Sequence, residues 1–198
     1  GCWASAKSGW KDVNIDQAYE TLKMAYSLGI NFFDTAPVYG FGKSEEMVGE
    51  VLKDIRDKVV IATKFGLRWS ERGTVIHDIS PDSMMFELEA SLKRLNTDYI
   101  DLYQIHWPDN KTDIKSILSK LGELKNSGTI RAVGVSNFSF ELLKQSVDYL
   151  AIDSVQEKYN YLERGAESEI LPFCAANSIS FIAYSPLAQG LLSGKVKE

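Results

Sequence analysis

Two rhythms of apolar and polar positions take turns along this chain. Stretches with apolar residues at three- and four-residue spacing are followed by short runs that are almost wholly apolar. VNIDQAYETLKMAYSLG (Val13 to Gly29) has helical spacing, with Asp16 near its start and a glycine stop. Phe32 and Phe33 read as a short strand. SEEMVGEVLKDI (Ser44 to Ile55) opens on a serine cap with an acidic first turn. Val59 to Thr63 is a buried strand, and a polar loop runs from Arg68 to Ile79. Ser80-Pro81 then caps a helix through Leu95.

The beat repeats: strand Tyr99 to His106, helix Asp113 to Gly128, strand Ala132 to Asn137, helix Phe140 to Leu150. A short strand surrounds Val155, a helix from Glu167 to Ser178 is interrupted near Pro172, and Ile179 to Leu187 is a last strand. Six strands follow from Phe32 onward, and the opening GCW reads as the tail of a seventh. Strict alternation predicts a parallel sheet with helical crossovers. An open doubly wound sheet and an eight-stranded barrel both satisfy that pattern.

The ends of the strands separate the two. Asp34 follows Phe33, Lys64 follows Thr63, His106 follows Ile105, Ser136 and Asn137 follow Val135, Gln156 follows Val155, and Tyr184 and Ser185 follow Ala183. In parallel α/β folds the carboxyl ends of the strands hold the active site, and in a barrel all of them face one mouth. Each polar strand end has an ordinary structural explanation, but six such explanations have no reason to share a pole. His77, in a polar loop, takes no role.

Composition narrows the partners. The 198 residues are 44% hydrophobic and 25% charged, with net charge −5, which gives no electrostatic case for nucleic acid or an anionic membrane. Cys2 and Cys174 fit neither a disulfide framework nor a metal-ligand spacing, as expected of reduced thiols in a cytoplasmic protein. No apolar run approaches the roughly 20 residues of a membrane helix, and no signal peptide is visible. The chain opens on Gly1 rather than Met, so an earlier start is expected.

The polar ends carry a definite chemistry. A tyrosine titrates near pH 10 unaided, and a neighbouring ammonium favours its phenolate. A buried ammonium needs a counter-charge. Tyr39, Lys64 and Asp34 therefore read as acid, tuner and anchor, and His106 as a group that orients a carbonyl oxygen or assists proton transfer. The set suits carbonyl reduction if something delivers a hydride.

At these residues the sequence resembles the aldo-keto reductases, (β/α)8 barrels that reduce aldehydes and ketones with NADPH. FFDTAPVYG with KSEEMVG, ATKFG, SLKRLNTDYIDLYQIHWPD, IRAVGVSNF, VQ…YN and AYSPLAQGLLSGK carry the likeness, from Gly1 to about Lys195. It implies one α/β domain, a (β/α)8 TIM barrel over residues 1–198, lacking the N-terminal hairpin with the start of strand 1 and the strand 8 segment.

The resemblance also implies roles. Tyr39 is the general acid, Lys64 lowers its pKa, Asp34 pairs with Lys64, and His106 positions the carbonyl. Ser136, Asn137 and Gln156 hold the nicotinamide carboxamide, and Tyr184 stacks on its ring. Ser185, Pro186, Leu187, Gln189, Gly190 and Leu191 run beneath the pyrophosphate. Cys2 and Trp3 stand at the rim beside the cofactor, and Trp3, Trp69 and Trp107 line the substrate pocket. The residues that would grip an adenosine 2′-phosphate fall outside this sequence, so NADPH is a family expectation and NADH stays open. A non-catalytic NADPH-holding sensor or regulatory subunit on the same barrel is the alternative, and the intact tetrad argues against it. No metal-ligand cluster or nucleophile-base pair supports a hydrolase or an epimerase.

Three patterns mislead. Gly42-Lys43-Ser44 mimics the end of a phosphate-binding loop, but Pro37 stands where its first glycine belongs. Asn110 and Asn137 fit a glycosylation pattern without other signs of secretion. No G-x-G-x-x-G follows a strand.

Overall fold

The computed structural model describes residues 1–4, 14–109 and 111–194. Val13, Asn110 and Lys195, named above, lie outside the described residues.

Six parallel strands form one sheet: β1 (Phe32–Asp34), β2 (Val60–Phe65), β5 (Ile100–Ile105), β6 (Ile130–Ser136), β7 (Ser154–Lys158) and β8 (Ser180–Tyr184), in that spatial order. α1 (Ile15–Ser27) precedes β1, and the crossovers carry α2 (Lys43–Leu52), α3 (Pro81–Leu95), α4 (Ile114–Asn126), α5 (Phe140–Val147) and α6 (Ile170–Ala176). One hydrogen bond shows that the sheet curls. β1 and β7 stand four places apart, roughly 19 Å if the strands were laid flat. Gln156 Nε2 on β7 nevertheless donates to Asp34 Oδ1 on β1 at 3.0 Å, so the sheet closes toward itself with these side chains inside.

Alternation sorts the rest. Ile61, Phe65, Tyr103, Val133, Val135 and Val155 are wholly buried and join Val48, Leu52, Met84 and Leu88 of the helices in one core. Phe65 stacks on Tyr103 at 4.9 Å between centroids. The opposite face brings Lys64, Gln104, Gly134 and Ser154 into one row across β2, β5, β6 and β7. α2 lies so close to α3 that a Cβ on Gly49 would come within 2.6 Å of the Leu95 backbone.

Several boundaries differ from the sequence expectation. α2 begins at Lys43, and Ser44 does not cap it. The Ser44 hydroxyl accepts from Thr35 Oγ1 at 2.7 Å and donates to Cys2 O at 3.2 Å, tying the helix to the first strands. The polar loop from Arg68 to Ile79 contains an antiparallel hairpin, β3 (Leu67–Trp69) with β4 (Val75–His77), turned at Gly73 with φ 76°. α6 begins at Ile170, so Pro172 falls in its first turn, where a missing N–H costs no intrahelical bond. β2 runs beyond Thr63 to include Lys64 and Phe65. α1 is capped by Asn14, whose side chain accepts from Gln17 N.

Candidate active site

Tyr39 reaches the mouth on a tight loop. Tyr39 N bonds to Ala36 O, Gly42 N to Pro37 O at 2.7 Å and Ser44 N to Tyr39 O. Gly40, Phe41 and Gly42 all have positive φ, which folds the chain back into α2. The phenol thereby stands over the end of β2. Lys64 Nζ is wholly buried and donates to Asp34 Oδ1 at 2.8 Å, Asp34 Oδ2 at 2.9 Å and Thr35 O at 2.9 Å. Its longer contact, 3.4 Å, goes to Tyr39 OH. The His106 ring meets the Tyr39 ring edge-on, centroids 5.8 Å apart.

The electrostatics follow from burial and pairing. Burial alone would raise the Asp34 pKa, but the Lys64 ammonium and the Gln156 amide hold it below the usual carboxylate value. Burial would lower Lys64, and the Asp34 carboxylate reverses that, so the ammonium is retained. Burial, aided by the Lys64 charge, pushes His106 down to about 3, which leaves a neutral imidazole. Neither ring nitrogen hydrogen-bonds to a described residue. Tyr39 departs from the expectation: burial raises its pKa above the ordinary value, and the opposing pull of Lys64 does not overcome it. Lys64 makes its short bonds to Asp34, and that carboxylate offsets much of the charge felt by the phenol.

A second chain of bonds joins the strand ends to this centre. Tyr184 OH donates to Asn137 Oδ1 at 2.8 Å, and Asn137 Nδ2 donates to Ser136 Oγ at 3.0 Å and to His106 O at 2.9 Å. Ser136 Oγ donates to Gln156 O at 2.8 Å, and Gln156 Nε2 reaches Asp34. Asn137 holds φ 59°, a left-handed conformation that asparagine tolerates, and this aims its side chain back across β6. The Gln156 Oε1 takes no hydrogen bond from a described residue, which leaves an acceptor on the strand next to Asn137 and the half-buried Tyr184. That donor and acceptor set, next to an aromatic plate, fits a planar carboxamide on an aromatic ring, as a nicotinamide presents.

The remaining expected residues stand farther out. Ser185, Ala188, Gln189 and Gly190 all have positive φ. They form a tight irregular segment whose own bonds, Ala188 N to Ser185 O and Gly190 N to Leu187 O, stay local. Asn160 Nδ2 holds its start by donating to Ser185 O at 3.0 Å. Such runs turn successive N–H groups to one side and can cradle an anion. Among the described residues, no hydrogen bond joins Pro186, Leu187, Gln189, Gly190 or Leu191 to Asp34, Tyr39, Lys64 or His106. Cys2 continues the sheet beside β1 through Cys2 N to Asp34 O at 2.7 Å, and burial pushes its thiol up to about 11. Trp3 and Trp107 are exposed. Trp69 leans on Phe41 at 5.5 Å on the β3–β4 hairpin.

Sequence reasoning missed Gln104, Thr35 and Asn160. Gln104 is wholly buried, donates to Asp34 Oδ1 at 3.2 Å, and leaves its Oε1 without a partner among the described residues. A buried unpaired carbonyl costs about 1–3 kcal/mol. Its signal was available: it lies two residues before His106, on the same face of β5. Among the described residues no group of three or more His, Cys, Asp or Glu side chains could hold a metal ion, and no helix is long and apolar enough to cross a membrane.

Known proteins share the fold and much of the sequence. The profile of the Aldo/keto reductase family matches residues 1–198. Aldo-keto reductase YhdN of Bacillus subtilis is 42% identical over 200 residues, covering all of this chain and 60% of that protein. The NADH-specific methylglyoxal reductase of Escherichia coli is 39% identical, covering 99% and 65%. The solved glycerol dehydrogenase of Gluconobacter oxydans superposes with a TM-score of 0.93 at 40% identity, over all of this chain and 62% of its own. An aldo/keto reductase of Klebsiella pneumoniae solved with NADP and acetate superposes at 0.77 with 30% identity, over 92% and 61%. The chain thus spans about three fifths of the length of these relatives. Its six parallel strands are part of their (β/α)8 barrel, and the chain belongs to the aldo/keto reductase family.

Proposed function

We propose that this protein reduces the carbonyl of small aldehydes or ketones to an alcohol, with Tyr39 as the proton donor. The observation that carries the reading is the Lys64 ammonium, 2.8 and 2.9 Å from the Asp34 carboxylate and 3.4 Å from the Tyr39 hydroxyl. The Tyr39 phenol stays protonated at neutral pH and has a proton to give. When it gives that proton up, the phenolate forms beside an ammonium already in place, which favours the charge where it develops. His106 is neutral, so one ring nitrogen can donate a hydrogen bond to a carbonyl oxygen without supplying the proton itself. A bound dihydronicotinamide supplies the hydride. Asn137, Gln156, Ser136 and Tyr184 hold and orient its ring, and the segment 185–191 supports the phosphates.

NADPH is the cofactor proposed. A relative named for NADH specificity and a neighbour bound to NADP bracket the choice. A cytoplasmic setting follows for a reductase of small soluble carbonyls with two buried thiols.

Loss of nicotinamide absorbance with a panel of activated aldehydes, run with NADPH and with NADH, tests the reading. Tyr39→Phe is expected to lower turnover by about 10²–10⁴-fold, the range of general-acid catalysis. Cofactor affinity is expected to stay within a few-fold. Cofactor binding with no turnover by the unaltered protein would support the regulatory subunit instead.

A further inference from the structure

Beneath the tetrad, one inward-facing side chain is explained neither by the chemistry above nor by packing. Gln104 is wholly buried, and its Oε1 meets no donor among the described residues. The sheet gives up a side chain on the neighbouring strand to house it. A Cβ on Gly134, its partner across β5 and β6, would lie 2.8 Å from Gln104 Cγ and 2.5 Å from Ser154 Oγ. A leucine would fill much the same space with no orphaned oxygen. What leucine cannot do is donate to Asp34.

Asp34 Oδ1 accepts from Lys64 Nζ at 2.8 Å, Gln156 Nε2 at 3.0 Å and Gln104 Nε2 at 3.2 Å. The three donors come from β2, β7 and β5, and so from three directions. Turning the Gln104 amide over would set its oxygen against the carboxylate, so the orphaned Oε1 is the consequence of aiming the N–H at Asp34. Buried polar groups left unpaired in native proteins need such a reason.

We propose that Gln104 is a positioning residue of the reductase centre: acting through Asp34 Oδ1, it fixes the carboxylate that aims the Lys64 ammonium at the Tyr39 phenol. The assignment rests on the reading of Tyr39 as proton donor.

Two substitutions and one spectroscopic signal test it in the full-length protein. Gln104→Leu is expected to lower kcat by about 10- to 100-fold, the usual cost of misplacing a catalytic group. KM and cofactor affinity should stay within about threefold, and the melting temperature should be unchanged or higher. The buried Lys64 ammonium, followed by nitrogen-resolved NMR, is expected to shift and exchange its protons faster. Gln104→Glu should behave differently. Its protonated carboxyl can still donate to Asp34, so activity should persist at low pH and fall along a limb absent from the unaltered enzyme as that carboxyl ionises.

A Gln104→Leu enzyme with kcat within twofold of normal overturns the proposal. So does a loss of kcat that tracks a lower melting temperature while the Lys64 signal stays in place. If the unaltered protein turns over no carbonyl, the reductase reading fails, and the Lys64 signal alone then decides whether Gln104 orders the pair.

Discussion

His106 offers the most direct test of the site's electrostatics. Its imidazole is 8% exposed, and burial with the nearby Lys64 charge lowers its pKa from 6.5 to about 3. In the unfolded chain the same group titrates at its ordinary value. Below pH 6.5 the unfolded state therefore binds a proton that the folded state refuses, and stability falls with pH by about 1.4 kcal/mol per unit. Between pH 7 and pH 5 the loss from this residue is about 2 kcal/mol. Absolute curves would hide it, because Glu87 and Glu157, both raised to about 7, bind protons in the folded state over the same window and act with the opposite sign. The difference between the unaltered protein and His106→Gln removes those terms. Urea unfolding at half-unit steps from pH 7 to pH 5 should show the unaltered protein losing ground to the variant by about 2 kcal/mol. Parallel curves would mean that His106 titrates normally, and the neutral imidazole assigned to it would be wrong.

Three further predictions bear on the frame. Glu87 is 4% exposed and raised to about 7 by burial, so its ionisation costs stability as pH rises from its unfolded value of 4.5 toward 7. Relative to Glu87→Gln, the unaltered protein should lose about 2–3 kcal/mol between pH 5 and pH 8, and a gap independent of pH in denaturant titrations would refute this. Gly49→Ala should destabilise by about 1–3 kcal/mol despite the better helix former, because the new Cβ meets Leu95 backbone at 2.6 Å. Gly122→Ala, 3.5 Å from the flexible Leu150 tip, should instead raise the melting temperature.

The alternating periodicity made the parallel sheet legible, since the inner strands β2 and β5 are buried on both faces and the helices between strands show an apolar stripe. It could not choose between an open and a curled sheet, because both present identical strands to the sequence. The polar residues gathered at the strand ends favoured the barrel, and the side-chain bond between β1 and β7 shows the curl directly. The hairpin of β3 and β4 was hidden because each strand is only three residues long and Leu67 is the one buried residue of the six. Ser44 was misread as a cap for a related reason: a serine near a helix start has two uses. Here Thr35 and Cys2 claim its hydroxyl.

The juxtaposition of Asp34, Lys64 and His106 at strand ends with Tyr39 on the loop after β1 could be expected from the sequence, but the direction of the Tyr39 pKa shift could not. A lysine beside a tyrosine suggests a lowered phenol pKa, and that inference holds only if the ammonium's charge is uncompensated and the phenol is wet. Here the ammonium lies 2.8 Å from a carboxylate and 3.4 Å from a half-buried phenol, so burial prevails. A phenol that keeps its proton is nonetheless what a donor requires. If Tyr39 is the donor, as proposed above, the ammonium matters less before the reaction than during it, because it is already in place where a phenolate would form. On that proposal, Asp34 keeps the ammonium charged, and the donors from β2, β5 and β7 that converge on Asp34 hold both groups beside the phenol.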